Sequence, residues 1–318
     1  MNTPDRHISQ RRAAWSRLEE LIARAAGGIG RISAAELREL GQLYRQACTD
    51  LAIARRDYPD HKLTAYLNQL VARAHGVIYR YSASESNPVA TFFRATLPRA
   101  FRATWPMTLT AALVFLLPAL AAFVAGLSDP ALGEVLVPGI DFVTDQIRAG
   151  EEWWLRINEG PAAASTEIMT NNINVAIRAF AGGVTLGIYT LYILVFNGLL
   201  LGTVAGIAQH FGFADNLWGF VTSHATLELS AIFIAGGAGL QLGWAILRPG
   251  TLSRRSALVV AARRAVVLLI GCALILVVAG LIEAFISPTS LPFALKLFVS
   301  LGSGALLFAY LLLSGRES

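Results

Sequence analysis

The pattern of apolar and polar positions changes character near residue 100. Before it, apolar residues recur at three- and four-residue spacings among charges, as on one face of a helix. In "RRAAWSRLEELIARAAGG" the positions Trp15, Leu18, Leu21, Ile22 and Ala25 share a face, and Gly27-Gly28 ends the pattern. "SAAE" opens a second helix with Ser33 and Glu36 at capping-box spacing, and Leu37, Leu40, Leu43, Tyr44, Ala47 and Leu51 continue its stripe. After the "DYPD" turn, Leu63, Tyr66, Leu67, Leu70, Val71, Ala74 and Ile78 mark a third. Beyond residue 100 the stripes give way to apolar runs at 107–127, 183–206, 220–246, 265–286 and 292–314. Each is about 20 residues or more, enough to cross a hydrocarbon layer of roughly 30 Å.

Composition agrees with the pattern. The 318 residues are 55% hydrophobic and 15% charged, with a mean hydropathy of +0.54, which a soluble domain of this length would not carry. The expected fold class is all-α: a polytopic transmembrane bundle preceded by a cytoplasmic helical region. The division expected is 1–87 for that region, 88–106 for an elbow helix along the membrane surface, and 107–314 for the bundle, with an external loop at 128–166. In the elbow, Phe92, Phe93 and Phe101 alternate with Arg94, Arg99 and Arg102, as suits the headgroup layer and makes membrane lipids a partner. The opening "MNTPDRHISQRR" has no apolar core of a signal peptide. Cys48 lies in a polar region and Cys272 in an apolar one, so no disulfide is expected.

Charge is segregated in a way that concerns orientation and not nucleic acid. Residues 1–100 hold 15 Lys+Arg against 9 Asp+Glu, residues 128–166 hold 2 against 7, and residues 247–264 hold five arginines and no acid. Basic loops stay inside, so the N-terminus is expected in the cytoplasm of a bacterial inner membrane and 128–166 outside. Five full crossings would then put the five arginines outside as well. Two arrangements remove that conflict. In one, residues 207–246 dip in and return as a re-entrant hairpin broken at Gly236, Gly237 and Gly239; in the other, the polar helix around 167–182 is an extra crossing. The glycines favour the hairpin, with an even number of crossings and both termini inside. Trp153-Trp154 fit an interfacial belt, and the helix after Ser165 carries Glu167, Asn171, Asn172, Asn174 and Arg178. Its asparagines lie on the water side or, with Asn171 and Asn172 turned inward, line a cavity.

The candidate chemistry sits inside the apolar runs. His224 and Glu228 are four residues apart and share a helix face, and Glu283 lies in "GLIEAFISP" with no basic neighbour in sequence. A carboxylate in hydrocarbon needs a partner, a proton or water, so His224, Glu228 and Glu283 are expected to form one buried polar centre, with Asn197 and His210 as further candidates. Three readings compete: a hydrogen-bonded tie between helices, a path for a proton, ion or headgroup, and a divalent metal held by His224, Glu228 and Glu283 in an intramembrane enzyme. Otherwise no cofactor is indicated. No H-E-x-x-H, G-x-S-x-G or phosphate-loop motif occurs. Glycines at four-residue spacing (Gly183 and Gly187; Gly198, Gly202 and Gly206; Gly239 and Gly243) suit close helix packing, within the chain or along a homodimer seam.

In "TNNINVAIRAFAGGVTLGIYTLYILVFNGLLLG", "SHATLELSAIFIAGGAGLQLGWAILRPG" and "AGLIEAFISP", together with the helical N-terminal region, the chain resembles the stage II sporulation protein M family of multi-pass membrane proteins. Asn197-Gly198, the segment His224–Leu229, Pro249-Gly250 and Glu283 sit where that family's pattern places such residues, while Ala225 stands where the family often has glycine. The resemblance implies a membrane component of envelope remodelling, acting as a scaffold or a transport-type protein. The namesake works in engulfment with peptidoglycan-degrading enzymes. Relatives are often encoded near MoxR-type ATPases and RDD-domain membrane proteins, so other envelope membrane proteins or a MoxR-type ATPase are the implied partners. A hydrolase motif is absent from this chain.

Overall fold

The computed structural model describes residues 4–26, 33–84, 87–152, 154 and 161–316. The described residues are helical, without strands, and fall into two compact units, 1–91 and 92–318. Gly27-Gly28, Trp153 and the last two residues lie outside the described set.

The first unit contains α1 (Pro4–Ala26), α2 (Ala34–Asp57) and α3 (Lys62–Ser84). The three apolar stripes meet in one core of Trp15, Leu18, Leu21, Leu40, Leu67 and Leu70. Within it Asp50 is buried, and it is paired: Trp15 Nε1 donates to its Oδ2 at 2.8 Å and Arg11 Nε to its Oδ1 at 3.1 Å. The Ser33–Glu36 capping box is formed, and Arg24 adds an ion pair to Glu36 at 2.6 Å. The Ser33 donors, then Arg24, hold the Glu36 carboxyl down to about 2.

In the second unit a π turn at Phe92–Thr96 runs directly into α4 (Leu97–Ser128), so the expected separate elbow is the start of the first long helix. Arg102 and Arg99 reach the end of the last helix. Arg102 donates to the carbonyls of Leu311, Ser314 and Gly315, and Arg99 to that of Gly315, satisfying groups that the last helix leaves free at its end. Phe101 is buried against Phe308 and not in an acyl boundary. Two short helices, α5 (Pro130–Leu136) and α6 (Asp141–Arg148), follow. Then come α7 (Pro161–Ala181), α8 (Ile188–His210), α9 (Ala214–Leu247), α10 (Arg254–Phe285) and α11 (Phe293–Leu313).

Five of these helices are long and apolar enough to cross a membrane: the run Pro88–Ser128 that contains α4, and α8 to α11. The contacts define two ends. At one, His210 Nδ1 meets the Leu127 carbonyl, Trp154 packs on Phe213 and Phe220, and Ser287 meets Ser223. At the other, Arg102 meets Ser314, Thr190 donates to Ala179 O, and Gly243 abuts the Leu186-Gly187 turn. The sixth long helix, α7, also runs between them, since Asn172 lies beside Glu228 and Ala179 beside Gly239. Its 21 residues span about 31 Å at 1.5 Å per residue.

The expected re-entrant hairpin is therefore not formed. α9 is a single helix of 34 residues that passes unbroken through "AGGAG". The glycines there serve contact, not interruption: a β-carbon at Gly237 would press on the Thr108 backbone, and one at Gly239 on the Ala179 carbonyl. Among the described residues, α7 adds a sixth pass of the bundle to the five apolar helices. Six antiparallel passes return the end of α11 to the end where α4 begins, and the arginines of 248–264 start α10 from that same end.

The glycines of α8 are spent inside the chain. A β-carbon at Gly198, Gly202 or Gly206 would overlap the carbonyl of Phe115, Ala119 or Phe123 on α4, and one at Gly183 the carbonyl of Gly239. These ridges are thus covered by the chain's own helices. Gly202→Ala should lower stability by about 1–3 kcal/mol through overpacking against fixed backbone. Gly302→Ala, where nothing lies within 4 Å of an added β-carbon, should be close to neutral. Thermal unfolding of the two variants in detergent checks the contrast.

Candidate polar centre in the helix bundle

Helical spacing puts His224 and Glu228 on the face of α9 that meets α10, where Glu283 lies two residues before the helix ends at Phe285. His224 Nε2 is 3.9 Å from Glu228 Oε2, and one ligand-type atom from each of His224, Glu228 and Glu283 lies within 4.8 Å of the others. His224 and Glu283 are buried and Glu228 is nearly so. Asn172 of α7 adjoins the Glu228 carboxylate.

The two sides of the histidine are treated differently. Nδ1 is 2.9 Å from Ser287 Oγ, which is in turn 2.6 Å from Ser223 Oγ. Nε2 faces the carboxylates. When Nδ1 carries the proton and donates to Ser287, Nε2 keeps its lone pair. The carboxylates are less well supported: apart from the Asn172 contact to Glu228, Glu228 Oε1 and both oxygens of Glu283 are buried with no hydrogen-bond partner. A network whose purpose was to tie helices together would satisfy these atoms, because each buried polar group left unpaired costs about 1–3 kcal/mol.

Ser287 also connects the centre to the surface. Together with Glu152, Trp154, Asp215, Asn216 and Lys296 it lines a polar pocket of about 260 Å³ at that end of the bundle. Asn216 donates to Glu152 at 2.6 Å across its mouth. Lys296, buried near the start of α11, donates to the carbonyls of Gly219 at 2.8 Å and Ser287 at 2.7 Å. It thereby fixes the start of α9 and the end of α10 against α11.

Of the residues expected at the centre, His224, Glu228 and Glu283 converge, and Asn172 joins them. Asn197 does not: its amide donates to Ile193 O on its own helix at 2.8 Å. His210 does not either, since it caps the Leu127 carbonyl at the bundle end. Asn171 is exposed. Trp154 is buried against Phe213 and Phe220 and not part of an interfacial belt. Three residues escaped the sequence reading: Ser223, Ser287 and Lys296. Lys296 carried a usable signal, a cation inside an apolar run. The serines carried none, because serine is ordinary in membrane helices.

Fold and centre together define a polytopic, all-helical membrane protein whose bundle encloses a histidine–carboxylate cluster. Comparison with family models matches residues 111–288 to Stage II sporulation protein M, and residues 5–80 to a Domain of unknown function (DUF8413). The first match covers more than half of the chain and includes every residue of the cluster. The chain belongs to the stage II sporulation protein M family. Neither the curated proteins nor the solved structures give a match.

Lys296→Met keeps the length of the side chain and removes its donors to the part-buried Gly219 carbonyl and the buried Ser287 carbonyl. The loss should be about 1–3 kcal/mol, read as a lower midpoint of thermal unfolding in detergent. An unchanged midpoint would show that Lys296 does not hold the three helices together.

Proposed function

We propose that this chain is a transport-type membrane protein of the bacterial envelope, in which His224, Glu228 and Glu283 bind and release a cation, a proton in the first instance. One observation carries the reading: three of the four carboxylate oxygens in the cluster are buried and unpaired, beside a histidine linked through Ser287 to an open polar pocket. A structural tie would have closed those valences. A site that must let its ligand go leaves them available, and the low dielectric around them makes their affinity for a cation high. Membership of the family supports an envelope role.

The orientation proposed puts the arginine-rich end in the cytoplasm and the polar pocket outside, because basic segments are retained on the inner side. Single cysteines at Ser128 and Ser253, in a chain with Cys48 and Cys272 replaced, sit near opposite ends of the bundle. In spheroplasts a membrane-impermeant maleimide should modify position 128 and reach 253 only after permeabilisation. The reverse pattern would invert the proposed orientation.

Proton movement is tested in liposomes that contain the full-length protein and an entrapped pH indicator. With the outside acidified and the potential clamped, the wild type should dissipate the gradient several-fold faster than protein-free vesicles. Glu283→Gln should fall back to the protein-free rate. A wild type that is no faster than empty vesicles sinks the transport reading.

A further inference from the structure

We infer that the His224–Glu228–Glu283 cluster is a site for a divalent transition-metal ion, with His224 Nε2 and one oxygen of each carboxylate as ligands. The inference rests on the reading of the cluster as a cation centre and names the class of ion.

The first argument is charge. When both ionise, two carboxylates beside a neutral histidine place two negative charges in a bundle core, and Glu283 is fully buried with no protein donor on either oxygen. A divalent ion cancels both charges and fills the empty valences in one step.

The second is geometry. Ligand atoms bound to a four-coordinate ion at about 2.0–2.2 Å lie roughly 3.5 Å apart. The His224–Glu228 separation is 3.9 Å, and all three ligand atoms fall within 4.8 Å of one another. Small side-chain rotations close the difference without moving the helices.

The third is the orientation of the histidine. A metal-bound imidazole usually donates its other N–H to a fixed acceptor, which sets the tautomer and the ring plane. Ser287 Oγ stands 2.9 Å from Nδ1, and is itself held by Ser223 at 2.6 Å. The free nitrogen, Nε2, is the one aimed at the Glu228 carboxylate. Asn172 donates its amide to Glu228 and so steadies that carboxylate.

The donor set selects the ion. One imidazole and two carboxylates suit Zn²⁺, Mn²⁺ or Fe²⁺. Ca²⁺ and Mg²⁺ prefer oxygen alone. Cu⁺ prefers sulfur, and the buried Cys272 is not among the residues that converge.

The test is equilibrium binding to the untagged, full-length protein in detergent, stripped with chelator and titrated separately with Zn²⁺ and Mn²⁺. One ion per chain should bind in the wild type, and affinity should fall at least tenfold in both Glu283→Gln and His224→Gln. Ser287→Ala keeps all three ligands and frees Nδ1, so its affinity should fall by about 10- to 100-fold. That variant decides the matter if the ligand variants fail to fold. Absence of stoichiometric binding overturns the inference, as does binding that neither the ligand variants nor Ser287→Ala weaken. The assay reads binding and not flux. Proton flux without metal binding leaves the transport reading standing and removes this one, and metal binding without flux does the opposite.

Discussion

The cost of a carboxylate in a low-dielectric interior governs the design of this bundle. Glu228 and Glu283 lie within apolar segments, where an isolated charge is worth several kcal/mol or more of penalty. Everything near them bears on that cost. α9 and α10 bring the two acids together beside His224, and the serine pair holds the imidazole in place. The end of α10 is clamped by Lys296, so Ser287 cannot drift from the histidine. Bringing like charges together raises the cost further unless something positive comes between them. The cation reading follows from this incomplete balance, not from any motif.

Such a centre needs a scaffold that does not relax. A loose bundle would let the acids rotate towards water or lipid and escape the strain. α8 lies on α4 with glycine against carbonyl at three successive turns, Gly198, Gly202 and Gly206, so that backbone meets backbone. α9 also approaches the α4 backbone closely at Gly237. In hydrocarbon there is no hydrophobic force between helices, and dense contact of this kind is what holds them. The long apolar faces left exposed, such as Leu117, Leu120 and Phe298, are those expected to meet lipid tails.

Much of this was legible in the sequence, for identifiable reasons. Period and capping chemistry are local, so the three N-terminal helices and the Ser33–Glu36 box could be read directly. Hydropathy is nearly local, so the five apolar helices could be too. The convergence of Glu283 with His224 and Glu228 could be argued from cost alone, since no other placement is cheap. Contacts between segments far apart in sequence could not. The arginines of the expected elbow alternate with aromatics like an interfacial helix, yet Arg99 and Arg102 cap a helix end more than 200 residues away. Asn197 and His210 looked like members of the centre because they are polar in apolar surroundings. Each is satisfied by a nearby carbonyl instead, which spacing alone does not reveal. The glycines of "AGGAG" were open to two meanings, breakage or contact, and packing chose contact.

The parity of the bundle and its chemistry have a common origin in α7. By hydropathy this helix does not qualify as a span, because asparagines and an arginine interrupt it. It can run between the bundle ends because Val175, Ala176 and Ala179 are buried against its neighbours, and its polar positions need not all face lipid. The pass it adds brings both ends of the helical domain to the arginine-rich end. The same pass carries Asn172 to Glu228. A helix apolar enough to be recognised as a span would have met the parity requirement while leaving the carboxylate without that neighbour. The feature that hid α7 from a hydropathy reading is thus the one that lets it contribute to the centre, and the asparagine-bearing segment belongs to the site as much as the histidine and the glutamates do.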